Sequence, residues 1–219
     1  MREIIHIVEL MALLSCAINF KKLESKALKG FLFLLILTNI AEWGNFYKLF
    51  VIIHSNNWVS NLRNPIEFAF IGWFYFQIIE NQIIKKRIKY LTWLILLSSA
   101  INFSFFQGFR YLNSYTIILG SCICVYYIFE YFKQMMNTPG SVSLFRNPYF
   151  WISIGFLFFY TGQSILLSFF QYFLSINNFK PFLPIWEFFI TLIIIILYSC
   201  LTISFFCRLK STNTSLQES

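Results

Sequence analysis

The sequence predicts an all-α, polytopic membrane protein with seven transmembrane helices, and three observations predict it. Of the 219 residues, 58% are hydrophobic and only 12% are charged, roughly half the charged share of a soluble domain. The apolar residues fall in long blocks, and a helix of about 20 such residues crosses a bilayer. Between the blocks lie short loops that hold most of the lysines and arginines, the pattern the positive-inside rule produces.

In chain order, the first span is expected over residues 4–20 and is followed by a loop with four lysines, Lys21, Lys22, Lys26 and Lys29. The second span covers 30–53, and a polar loop over 54–63 comes next. The third starts at Pro65, a favoured first helical position, and runs over 65–79. Lys85-Lys86-Arg87-Ile88-Lys89 reads as another basic loop before the fourth span, 90–106. The fifth covers 114–132, and the loop after it contains Pro139-Gly140, a turn signal. The sixth span is 148–173 and the seventh 186–207. Together these make one transmembrane domain over residues 1–210, with a polar tail over 211–219.

An odd number of spans puts the two termini on opposite sides of the membrane. Loops after spans one, three, five and seven hold twelve of the seventeen Lys and Arg, so the N-terminus is expected outside and the C-terminus in the cytoplasm. Leu13-Leu14-Ser15-Cys16 loosely resembles a lipoprotein processing site. Cleavage there would invert every later loop against the charge rule, and Glu3 and Glu9 are foreign to a signal peptide.

The segment Leu13-Leu14-Ser15-Cys16-Ala17-Ile18-Asn19-Phe20 returns as Leu96-Leu97-Ser98-Ser99-Ala100-Ile101-Asn102-Phe103, seven of eight positions identical at an offset of 83. At the same offset Asn64-Pro65 meets Asn147-Pro148, and Ile71-Gly72 meets Ile154-Gly155. A unit of three spans is odd, so two copies insert upside down relative to each other. The expected architecture is a 3+3 inverted repeat plus one helix, an arrangement common among secondary transporters. The acids do not repeat: Glu9, Glu42 and Glu67 correspond to Thr92, Val125 and Phe150.

Composition also excludes function classes. The net charge of +8 resides in loops beside apolar blocks, which argues for membrane topology and against nucleic acid. There is no aspartate, so a membrane hydrolase built on paired aspartates is excluded. Cys122-x-Cys124 lacks a partnering His or second Cys pair, and His6 and His54 are the only histidines, so no metal ligand set is expected. No nucleophile elbow appears. The last span carries no lysine for a retinal Schiff base. Neither enzyme activity nor a cofactor is expected.

The residue that stands out is Glu42, near the middle of the second span. A carboxylate there costs roughly 2.5–3.5 kcal/mol on insertion scales, so it requires a partner, a proton or a water-filled cavity. Asn39, Glu42 and Asn45 are three apart and share one helix face, each step turning about 60°. Lys48 continues that drift and could reach either the outer interface or a carboxylate. By depth, Glu9, Glu67 and Gln163 join Glu42 in the outer half. The expected ligand-binding set is Glu42, Asn39, Asn45, Glu67, Glu9 and Gln163 around an outward-facing polar cavity. The alternative is that these side chains bond across helices as packing contacts.

Asn39-x-x-Glu42, Pro65-Ile66-Glu67-Phe68 and Asn147-Pro148-Tyr149-Phe150-Trp151-Ile152-Ser153-Ile154-Gly155 carry a resemblance. They look like the small seven-span integral membrane proteins of Bacteroidota, which occur alone or as the sensor portion of histidine kinases. The resemblance implies a bacterial inner-membrane protein with a sensory or regulatory role. A fused kinase would follow the last helix, whereas this chain stops at Ser219, so the expectation is a separate membrane or cytoplasmic partner. Besides the bilayer and that partner, a second copy of the chain stays open. The leading expectation is a non-enzymatic sensory subunit binding a small or lipid-like ligand. A small-solute transporter, proton-coupled or not, and a structural subunit of a membrane complex are the alternatives.

Overall fold

The computed structural model describes residues 2–23, 25–52, 55–108, 111–137, 144–176 and 180–207. They form seven α-helices: α1 (Arg2–Asn19), α2 (Lys26–Phe46), α3 (Asn57–Ile78), α4 (Gln82–Phe105), α5 (Ser114–Asn137), α6 (Pro148–Ser175) and α7 (Leu183–Phe206). All except α3 are long and apolar enough to cross a membrane. At 22 residues α3 is equally long, about 33 Å at 1.5 Å per residue. Its first half carries Asn57, Asn61, Arg63, Asn64 and Glu67, which lowers its hydropathy. It packs against α2, α4 and α5. The outer faces of the other helices expose Ile7, Leu14, Ile18, Leu97, Ile101, Phe158, Ile165 and Phe169, far more apolar surface than a soluble monomer presents.

Several boundaries differ from the sequence expectation, each for a local reason. α2 ends at Phe46, short of residue 53, because the chain turns at Tyr47–Phe50 with Lys48 in the left-handed region (φ 57°). The turn folds back on α3, where the Trp58 indole N–H donates to the Phe50 carbonyl at 2.8 Å. Pro65 lies inside α3, not at its start. The polar stretch before it is helical because its side chains have partners within the bundle, described below. The basic segment Lys85–Lys89 is not a loop but the start of α4. The Asn81 side chain caps it by accepting from the Ile83 and Ile84 N–H groups at 2.9 and 3.3 Å. The sixth start is as expected, with Pro148 in the first turn and Asn147 accepting from the Tyr149 N–H at 2.9 Å. The Pro139-Gly140 turn, His54 and the tail over 211–219 lie outside the described residues.

α1 packs between α2 and α7, and α6 between α5 and α7. Consecutive helices alternate in direction. One end, which carries the start of α1, gathers Ile5, Asn45, Asn56 and Ile190. At the other end the Gln134 side chain donates to the Ile78 carbonyl, and Asn147 donates to the Tyr131 hydroxyl. α1 and α4 therefore run oppositely, as do α3 and α6.

Towards the second end the core is aromatic. The fully buried Phe31 ring meets Phe70, Phe74, Phe156 and Phe205 at centroid distances of 5.0–6.0 Å. Tyr75 stands 6.1 Å from Tyr127 and donates to the Ser153 hydroxyl at 3.0 Å. Such pairs are each worth about 0.5–1.5 kcal/mol. Between helices already in lipid, this kind of close packing takes over from the hydrophobic effect.

Candidate functional site

Glu42 projects from the last turns of α2 towards α3, where the Arg63 guanidinium donates to its carboxylate through Nη1. That is the partner an intramembrane carboxylate requires. By sequence alone Arg63 belongs to the polar loop over 54–63. Once α3 begins at Asn57, the residue lies inside a helix, one turn before Glu67. Arg63 is thus in the electrostatic reach of both Glu42 and Glu67.

Two cavities meet at Glu42. The outer, a vestibule of about 330 Å³, opens at the end carrying the start of α1 and is lined by His6, Glu42, Asn45, Phe46, Asn56 and Ile190, with Ile5 and Ile194 completing it. The inner, about 70 Å³, contains Glu9, Thr38, Glu42, Arg63, Glu67 and Tyr198 among apolar side chains that include Phe156 and Ile194. Glu42 and Ile194 line both. The ion pair therefore separates a ligand-sized space from one with room for about two waters, at roughly 30 Å³ each.

Glu67 and Glu9, the two carboxyl groups that line only the inner cavity, each lie beside a tyrosine. Tyr160 of α6, fully buried, donates to Glu67 at 2.6 Å. Tyr198 of α7 lines the inner cavity together with Glu9, whose residue surface is only 2% exposed. Glu9 Oε2 has no hydrogen-bond partner, and neither does His6 Nδ1, 3.7 Å away. The His6 ring is flanked by Trp43 and Phe46 at 5.1 and 4.9 Å. Asn45 Oδ1 is also buried without a partner. Arg63 Nε is a fourth such atom; buried polar atoms are satisfied in the great majority of cases, so four orphans at and around one ion pair set this region apart. Three carboxylates, Glu9, Glu42 and Glu67, face one guanidinium.

Four of the six residues expected at the site come together: Glu9, Glu42, Asn45 and Glu67. Two do not. Asn39 shares the α2 face, but its amide donates to the Leu35 carbonyl of its own helix at 2.9 Å, and it lines neither cavity. Its short side chain reaches back along α2 and does not cross to a neighbour. Gln163 on α6 faces α5, where its side-chain oxygen accepts from Ser121 at 3.5 Å. Lys48 is in the turn after α2 and is exposed. Sequence reasoning missed Arg63, His6, Tyr160 and Tyr198. The Arg63–Glu67 spacing was a legible signal for the first, but nothing in the sequence distinguished the two tyrosines from the other ten.

A second polar network lies nearby and was not anticipated. Asn61 of α3 donates to the Gly108 and Tyr111 carbonyls at 3.3 and 2.9 Å and accepts from the Asn113 N–H at 2.9 Å. Asn102 donates to Gln107 and to the Asn113 side chain. Gln107 and Gln171 both donate to the Ser114 hydroxyl, at 3.0 and 2.7 Å. These bonds fasten the α4–α5 connection to α3 and α6, which makes the network a structural element.

Among the described residues no three or more His, Cys, Asp or Glu stand close enough to hold a metal ion. Comparison with protein-family models, with curated proteins and with solved structures gave no match to the chain.

Proposed function

We propose that this protein is a non-enzymatic, membrane-embedded sensory or regulatory subunit that binds a small ligand in the Glu42 vestibule and signals to a separate protein. The observation that carries the reading is the position of the Glu42–Arg63 pair at the floor of the vestibule, among buried polar atoms that lack partners. Below the inner cavity, Phe156 packs on Phe31 and Phe74, so the pathway ends on an aromatic plug, as suits a receptor pocket. α3 crosses the membrane as the seventh span, shielded by its neighbours. The vestibule faces outward and the basic ends face the cytoplasm of a bacterial inner membrane. The resemblance read from the sequence motifs, to sensor portions of histidine kinases, implies the same role.

A specific observation favours a second reading, a small-solute transporter. Some positions 83 residues apart make similar contacts: Ser15 bonds to the Ala12 carbonyl and Ser98 to the Ile95 carbonyl. Gly72 meets Thr92 of the next helix, and Gly155 meets Cys200 of the next helix. Together with the antiparallel α1 and α4, these likenesses support an inverted repeat. The Asn-Pro pairs have diverged, one inside α3 and the other capping α6.

The test is to reconstitute the full chain, screen small solutes for saturable thermal stabilisation in nanodiscs, and measure flux of the hits in proteoliposomes. The sensory reading expects binding that Glu42→Gln weakens, without flux. Flux abolished by Glu42→Gln would establish the transporter, and no binding by any solute would leave the cluster as packing.

A further inference from the structure

The charges around the vestibule are unbalanced in one direction, and this defines the ligand's chemistry. Even with the deeply buried Glu9 left aside, Glu42 and Glu67 outnumber Arg63, the one Lys or Arg among the described residues lining either cavity. An anion entering the vestibule would meet this excess in a medium where charges are screened far less than in water. A positive group would be attracted by it. The wall also carries what an organic cation uses: the Phe46 ring, the His6 ring between Phe46 and Trp43, and the unpartnered oxygen of Asn45. At about 330 Å³ the space is at the low end of small-molecule sites. A metal ion is a poor candidate, because the described carboxylates and His6 are too dispersed to chelate one.

We propose that the vestibule takes a small organic cation, an amine or quaternary ammonium, which competes with Arg63 for the Glu42 carboxylate. This rests on the ligand-binding reading above and adds the ligand class and the switch. Glu42 lines both cavities and Arg63 only the inner one, so the ligand reaches Glu42 from the vestibule while Arg63 holds it from within. A guanidinium displaced from Glu42 stays in the inner cavity and transfers to the carboxyl oxygens of Glu67 and Glu9, its remaining acidic neighbours there. Glu67 is bonded to Tyr160 of α6, and Glu9 shares the inner cavity with Tyr198 of α7. Ligand charge is thereby converted into a changed contact on the two helices that pack most extensively on each other. Only the difference in ligand affinity between the two Arg63 positions drives the shift.

The experiment uses the full chain in nanodiscs with four probes, ethylamine, putrescine, choline and tetramethylammonium. The neutral choline isostere 3,3-dimethylbutanol and acetate serve as comparators, and binding is read by thermal melting and titration. At least one cation is expected to stabilise saturably, at least tenfold more tightly than the neutral isostere or acetate. Glu42→Gln is expected to weaken that cation tenfold or more. Arg63→Gln, which removes the competitor, is expected to tighten it several-fold. Because the wild-type comparison of cation with isostere requires no variant, a variant that fails to fold does not block the test. Equal or tighter binding of the neutral or anionic solute overturns the cation assignment but leaves the ligand-binding reading standing. Weaker cation binding in Arg63→Gln overturns the competition. No saturable stabilisation by any of the six overturns the cation assignment, and failure of the wider solute screen as well removes the ligand-binding reading.

Discussion

Replacing Glu42 by Gln and Arg63 by Gln, singly and together, gives a double-mutant cycle on the pair that organises the site. Two unit charges about 4 Å apart attract by roughly 4 kcal/mol at an effective dielectric constant of about 20. Part of that is offset by desolvation of both groups. The side chains are 29% (Glu42) and 19% (Arg63) exposed, so the offset is incomplete. Arg63 also keeps Glu67 as a second neighbour when Glu42 is neutralised, which reduces the loss further. The coupling free energy expected from these terms is about 1–3 kcal/mol, a factor of about 5–150 in the unfolding equilibrium. Each single variant should destabilise by about 2–3 kcal/mol, and the double variant by clearly less than their sum. Reversible unfolding in mixed detergent–SDS micelles, followed by circular dichroism, measures all four proteins. Asn39→Ala is the control: its amide is bound to Leu35 of its own helix, so it should add to Arg63→Gln without coupling. Additivity of Glu42→Gln and Arg63→Gln within about 0.5 kcal/mol would refute the reasoning, because it would mean that neither charge depends on the other.

Three further outcomes follow from the packing and the charge distribution. Gly155→Ala places a Cβ 2.9 Å from Cys200 Cβ and 3.3 Å from the Leu197 carbonyl oxygen; with backbone on one side, α6 and α7 must separate, and a loss of about 1–3 kcal/mol is expected in the same unfolding assay. Asn61→Ala removes three bonds to the α4–α5 connection, so faster amide exchange at Asn113 is expected, with a loss of about 1–3 kcal/mol. A C-terminal alkaline phosphatase fusion is expected to be inactive and a fluorescent-protein fusion bright; an active phosphatase would reverse the proposed orientation.

Much of the fold was legible because lipid imposes a simple rule on sequence. Every backbone polar group in the bilayer core must be satisfied within its own segment, so apolar blocks such as residues 148–173 translate directly into helices. Legibility failed where the rule stops applying. Residues 57–64 look like a loop because they are polar, yet they are helical: Asn61 and Arg63 find partners on the α4–α5 connection and on α2, so their polarity is absorbed inside the bundle. The segment 85–89 looked like a loop because it is basic, but a helix extending past the apolar layer leaves its lysines free to face water.

The sequence by itself determined the helical membrane class, the apolar spans, the 83-residue correspondence and the singular character of Glu42, because each depends on composition and spacing along one chain. Only the tertiary structure decided what Glu42 meets. The side chains that complete the site come from α1, α3, α6 and α7, up to 156 positions away at Tyr198. Their convergence depends on helix rotation and on where α3 starts, and neither is encoded in a local pattern. The same geometry excluded Asn39, which bends back to its own backbone, and Gln163, which turns to α5.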